Sequence, residues 1–415
     1  MLLSYLKIAW KVLQRRKFFT FISLFGISFT LMILMVVYAL YDHTIGPHTP
    51  EKRIDRLLFI NQIELWSPQN QAVSSPSYSF LNRYARTLRT PEKVSIATDG
   101  GSAVAYVGGR KLKLDLRATD GEFWQVLDFD FVAGRPYTVQ EVNKAAHVAV
   151  INESTSRRYF GTAQGVVGRT FEADAQRYRV VGVVRDVPAT RQNTFADLWI
   201  PITVSTVNLR YPGYLGTCEA ILLARTAADA SAIQAEFARA VRQAPVQNPE
   251  SFAEVRIYAE SLLGATLRDM AGESGPDPGI SRFMILVAAL SLLFMLLPAL
   301  NLVNLNVSRM LERSSEIGVR KAFGATNGAL IKQFLVENVF LTLLGGVVGL
   351  GLAAGALHLL NSSSLIGYAH FALNGRVFLV ALGIALFFGM LSGVYPAYKM
   401  SKLQAIEGLK GGTAK

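Results

Sequence analysis

The chain has 415 residues, of which 51% are hydrophobic and only 17% charged, with a formal net charge of +12 and a mean hydropathy of +0.29. This composition is too apolar for an average soluble protein and places the chain in the membrane class. The basic excess would suit nucleic acid, but much of it flanks apolar runs, where membrane orientation accounts for it, so no nucleic-acid partner is expected.

Residues 1–17 interleave Lys7, Lys11, Arg15, Arg16 and Lys17 with Leu3, Leu6, Ile8, Trp10 and Leu13. That pattern predicts an amphipathic helix on the cytoplasmic membrane surface, in contact with lipid and with Trp10 at headgroup depth. Residues 18–41 carry no charge and are long enough to cross a bilayer. A cleaved signal would have a shorter apolar core and an Ala-x-Ala-like end, which Tyr38-Ala39-Leu40-Tyr41 does not offer, so an uncleaved first span is expected.

Residues 42–281 are polar and turn-rich, with no run long enough to span. Their front part predicts a strand over 56–66 and a helix over 80–88. Strands follow at 94–97 and 103–116, the latter turning at Gly108-Gly109. The back part predicts a strand at 218–224, a helix at 228–243 with Ile233, Phe237 and Val241 at helical spacing, and a strand at 252–258. Two β-α-β pieces apart in sequence suggest one split α+β domain, 42–118 with 205–275, interrupted by a β-rich insert at 119–204. The lone Cys218 excludes an intrachain disulfide and reads as a packed small residue.

A Gly/Pro-rich linker at 272–279 leads to a second span at 283–307, whose Asn301, Asn304 and Asn306 need partners inside a helix bundle. Residues 309–326 are dense in charge. Glu312, Glu316 and Arg320 follow at four-residue intervals, which a helix stacks on one side. A third span at 334–360 carries the small residues Gly345, Gly346, Gly349, Gly351 and Ala354, as expected at a packing or dimer seam. A fourth span at 377–396 precedes a basic tail, 397–415. Basic residues cluster before span one, between spans two and three, and after span four. Both termini and 309–326 are therefore expected in the cytoplasm, with the large domain outside. The fold class expected is an α-helical membrane protein with four transmembrane helices (1+3) and a large extracytoplasmic α+β domain with a β-rich insert.

No Gly-x-x-x-x-Gly-Lys-Ser/Thr, His-Glu-x-x-His or Gly-x-Ser-x-Gly occurs. His43 and His48 can approach each other in a loop, and a solvated pair is the plainer account than a metal site. No catalytic, cofactor or metal site is expected on this chain.

The run Arg313-Ser-Ser-Glu-Ile-Gly-Val-Arg-Lys-Ala-Phe-Gly-Ala325, then Phe334-Leu-Val-Glu-Asn338 and the glycine-rich third span, resembles ABC-transporter permeases of the MacB/FtsX type. Smaller matching pieces are Ala133-Gly-Arg135, Tyr159-Phe-Gly161, Val167-Gly168, Val180-Val-Gly-Val183, Asn301-Leu-Val-Asn304 and Tyr395-Pro-Ala397. The resemblance implies a dimer with a second permease copy or paralogue, docked on a cytoplasmic ABC ATPase subunit that holds ATP and Mg. It places the ATPase contact on Glu312, Arg313, Glu316, Ile317, Gly318, Arg320, Lys321, Gly324 and Ala325. The implied mechanism is mechanotransmission, relaying ATPase closure to the outer domain, and the family extends to a periplasmic adaptor and an outer-membrane channel. Macrolide exporters carry the ATPase on the same chain ahead of span one, whereas here it is expected on a separate subunit in the inner membrane complex. The alternative is an FtsX-like signalling subunit that activates an extracytoplasmic hydrolase.

Overall fold

The structure, a computed structural model, describes residues 10, 14, 17–272, 275–294, 296, 319, 326–363 and 371–401. They fall into a helical unit, up to Tyr41 and from Phe283 onward, and an outer unit, Asp42–Arg282.

In the helical unit, the charge-free run after Lys17 forms one helix, Lys17–Ile45. Phe21, Phe25 and Phe29, four residues apart, stack along one exposed face with ring centres 6.1 and 5.4 Å apart. Ile27 and Leu31, on another face, are buried with Leu341 and Ala381 from the helices Asn327–Ser362 and Gly375–Ser401. An apolar helix with one face packed and the other bare suits hydrocarbon as its solvent. Thr20–Ile45 and Leu335–Ser362 are long and apolar enough to cross a membrane, and Ile280–Phe294 and Gly375–Phe387 are shorter apolar helices. Trp10 sits edge-on to Phe340 with ring centres 6.4 Å apart.

The outer unit contains β1 (Leu57–Ile60), β2 (Ile63–Trp66), β3 (Gln71–Pro76), β4 (Lys93–Thr98), β5 (Ser102–Val107), β6 (Arg110–Thr119) and β7 (Phe131–Gly134). It continues with β8 (Val148–Asn152), β9 (Thr170–Ala173), β10 (Gln176–Val184), β11 (Leu198–Pro201), β12 (Leu215–Gly216), β13 (Cys218–Leu223) and β14 (Glu254–Ile257). One sheet runs β1-β13-β4-β6-β11-β8-β10-β7, with β5 on β6 and β9 on β10, and a smaller sheet runs β12-β3-β2-β14. Strands β8, β11 and β13 are buried at every position because helices and loops cover both faces. The large sheet passes from the front and back segments into 119–204 through the parallel pair β6–β11.

The single strand expected over 56–66 is two strands. Leu57–Ile60 pairs with β13 in the large sheet, while Ile63–Trp66 pairs with β3 and β14 in the small one. The polar pair Asn61-Gln62 lets the chain change sheets, and Asn61 accepts a hydrogen bond from Asn193 at 2.9 Å. Gly108 and Gly109 turn the β5–β6 hairpin with φ of 53° and 79°. Gly134 and Gly182 face each other across β7 and β10. A Cβ on Gly134 would lie 2.2 Å from the Val181 carbonyl oxygen, and one on Gly182 2.5 Å from that of Arg135. Two of the small sequence signatures are thus one close backbone crossing.

Asp120, just after β6, is buried and accepts from Ser95 Oγ (2.8 Å), Ile96 N (2.7 Å) and Phe123 N (3.0 Å), with Arg86 alongside. Burial pushes its pKa from 3.8 up to about 6, with Arg86 acting against the rise. A carboxyl whose folded pKa is raised loses stability as pH climbs from its unfolded pKa to its folded one. Between about pH 4 and pH 6, Asp120 should therefore remove up to about 3 kcal/mol of outer-unit stability. Denaturation of Asp120→Asn across that window should show a shallower slope than wild type.

Candidate coupling elements

Glu312, Arg313, Glu316, Ile317, Gly318, Arg320, Lys321, Gly324 and Ala325 lie outside the described residues, so their arrangement rests on sequence alone. The small residues of the third apolar helix are described, and they divide. A Cβ on Gly345 would come 2.7 Å from Ile27 Cγ2, and one on Gly349 2.9 Å from the Ser28 carbonyl oxygen. Both glycines bring this helix against the first one. Gly346 faces Leu382 on the last helix, with a Cβ distance of 2.7 Å to Cδ1. Gly351 has nothing within 4 Å of a Cβ among the described residues, and Ala354 is half-buried. Near the start of the same helix, Gln333 donates to Glu337 at 3.1 Å and Thr342 Oγ1 donates to the Asn338 carbonyl at 2.9 Å. These polar groups are thereby satisfied within the helix itself.

The outer unit holds a second arrangement that pattern reasoning missed. The helix Lys17–Ile45 ends in residues that belong to this unit, and its final carbonyls lack helical donors. Arg191, in the loop between β10 and β11, meets them. Its Nη2 donates to the carbonyls of His43 (3.0 Å) and Gly46 (2.7 Å), while Nη1 pairs with Glu51. The other Glu51 oxygen accepts from Thr194 Oγ1 at 3.0 Å. Both side chains of the ion pair are 0% exposed. From the other side of the loop, Arg117 on β6 donates to the Thr98 carbonyl at 2.6 Å and to the Gln192 carbonyl, and it pairs with Glu219 on β13.

Two carboxylates and two guanidiniums are thus buried in compensating pairs. Burial raises the pKa of Glu51, and it pushes that of Glu219 up to about 7, with Arg191 and Arg117 respectively pulling the other way. A lone buried charge would be untenable, so the pairs stand or fall together. The available signal was a charge inside an apolar strand, Leu116-Arg117-Ala118 and Cys218-Glu219-Ala220. Glu51 and Arg191, in loops, gave none.

His43 and His48 do approach, with ring centres 6.3 Å apart, and His48 Nε2 lies 2.9 Å from Asp42 Oδ2. Cys218 is buried, and burial pushes its thiol up to about 12, far from thiolate chemistry. A cleft of about 350 Å³ lies beside β3 and the helix Leu262–Ala271, where Arg268 is held by Glu260 and stacks on Tyr258.

Comparison with known proteins matches residues 20–240 to the MacB-like periplasmic core domain and 288–405 to the FtsX-like permease C-terminal. The chain belongs to the MacB-type family of ABC-transporter permeases, a membrane family with a periplasmic domain. It is 26% identical, over 98% of its length, to the pyoverdine export ATP-binding/permease protein PvdT of Pseudomonas aeruginosa. It is 24% identical, over 82% of its length, to the uncharacterized ABC transporter permease YknZ of Bacillus subtilis, covering 75% of that protein. Of PvdT it covers 58%, so the chain spans little more than half of that relative. The periplasmic region of MacB from Actinobacillus actinomycetemcomitans aligns with 53% of this chain and 94% of its own, at 15% identity and a TM-score of 0.36.

The two kinds of glycine should respond differently to a side chain. Gly349→Val drives two methyls toward the Ser28 backbone and should cost about 1–3 kcal/mol. Gly351→Val meets no atom within 4 Å among the described residues and should change stability by less than about 0.5 kcal/mol. Thermal unfolding in lipid nanodiscs reads both.

Proposed function

We propose that this chain is the permease subunit of a MacB/FtsX-type ABC transporter that turns cytoplasmic ATP hydrolysis into movement of its outer domain and export of a substrate. The observation that carries this reading is the order of the two family segments, core domain then FtsX-like domain, across nearly the whole chain. The charge pattern supports four spans in a 1+3 layout, both termini cytoplasmic and the outer unit on the far side of the inner membrane. Export is favoured over signalling because several relatives, PvdT among them, are named for export.

In this reading ATP and Mg bind a separate ATPase subunit, which docks on Glu312–Ala325 with Glu316 and Arg320 on its contact face. A second permease copy or paralogue completes the assembly, and the open Gly351 with Ala354 offers a close-approach seam for it. A periplasmic adaptor and outer-membrane channel would extend the path outward.

Affinity purification of the full chain from its native membrane should recover a P-loop ATPase. Glu316→Lys should lower that recovery about tenfold or more, as expected for reversing a charge within a docking contact, while leaving membrane insertion intact. Recovery equal to wild type would contradict the docking assignment.

A further inference from the structure

We propose that the Glu51–Arg191 pair is a coupling clamp, which makes the end of the first membrane helix and the β10–β11 loop move as one piece. The inference rests on the transporter reading above and adds to it the residues through which the outer unit would follow that helix.

Three observations carry it. Arg191 directs its guanidinium at the His43 carbonyl in the last turn of the helix Lys17–Ile45 and at the Gly46 carbonyl just after it, so its bonds report the position of that backbone rather than of a side chain. A planar fork with five donors holds two carbonyls and a carboxylate at once, in a fixed geometry that a compact ammonium does not reproduce. The pair is also fully enclosed, so water cannot replace the bonds when the helix end is displaced, as it would at an exposed ion pair.

Third, the loop is held equally on its inner side. Arg117 binds the Gln192 carbonyl, next in sequence to Arg191, and is itself fixed to Glu219 on β13. Displacement of the helix end therefore has a continuous path, by hydrogen bonds from the carbonyls to Arg191, along the chain to Gln192 and by a hydrogen bond to Arg117, into β6 and β13 on either side of β4 in the ten-stranded sheet. Stability alone does not call for this chemistry, because an apolar pair of similar volume is commonly as stable as a buried ion pair. What the apolar pair lacks is directional bonding to the helix end. Arg191 is accordingly a positioning residue, acting through the helix it grips.

The test uses the full chain with its ATPase in lipid nanodiscs and follows backbone hydrogen exchange in the outer unit, with and without a non-hydrolysable ATP analogue. The variants are the paired Glu51→Met/Arg191→Met, which leaves no charge unpaired, and Arg191→Lys, which keeps the charge but cannot span both carbonyls and Glu51. In wild type, the nucleotide should change exchange in β11 and β13. Both variants should keep ATP hydrolysis and nucleotide-free exchange, with the nucleotide-dependent change reduced about fivefold or more. A response of wild-type size in the variants would overturn the clamp while leaving the transporter reading in place. If the paired variant does not fold, the response of Arg191→Lys decides by the same criterion. No nucleotide response in wild type, with the ATPase bound and active, would overturn the transporter reading and the clamp together.

Discussion

The carbonyls at the end of a helix lack helical donors, and in this chain one guanidinium meets the His43 carbonyl at the end of the helix Lys17–Ile45 and the Gly46 carbonyl just beyond it. Everything nearby follows from the need to bury that charge. Arg191 requires Glu51, and the same loop takes Arg117, which requires Glu219. The four groups are enclosed by strands of the large sheet, and their charges cancel in pairs. Removing any one would strand a charge at a cost of about 3–5 kcal/mol, a large part of the stability of an ordinary domain. The large apolar core of the outer unit thus holds two buried ion pairs beside it.

That arrangement also explains why the outer unit is not two loosely joined lobes. The front and back segments supply β1, β4, β6 and β13, and residues 119–204 supply β7, β8, β10 and β11, all in one sheet. The parallel β6–β11 ladder joins them, with Arg117 on β6 binding into the loop that leads to β11. Motion delivered to the loop would reach both halves through backbone hydrogen bonds, which are far less compliant than a packed interface. In the helical unit the corresponding device is the absence of side chains. Gly345, Gly346 and Gly349 let three helices approach until backbone and methyl groups touch.

Much of this was legible in the sequence, for identifiable reasons. Charge-free runs, glycine punctuation and period-two alternation each report a local requirement, and they located the first and third apolar helices, the β5–β6 hairpin and the helix Ala230–Arg242. The division at Asn61-Gln62 was hidden because both halves are buried, and alternation says nothing about which sheet a strand joins. Strands β9 and β12 are four and two residues long, too short for any period to register. The ion-pair centre was hidden for a different reason. Glu51 and Arg191 are 140 residues apart, and nothing local to either distinguishes a buried charge in a loop from a solvated one. Glycines, too, announced close packing without saying which face had a partner. Only the structure separates Gly349, pressed on Ser28, from Gly351, which meets nothing among the described residues.

If the charged stretch 309–326 and the outer unit lie on opposite sides of the membrane, any signal between them must travel through the spans. Thiol labelling tests this directly, because the lone native cysteine is fully buried and should stay silent. Tyr106→Cys, on the exposed β5–β6 hairpin, should react with a membrane-impermeant maleimide in intact spheroplasts, and Ser315→Cys only after permeabilisation. Labelling of both positions in intact spheroplasts, or of neither until the membrane is opened, would contradict this topology.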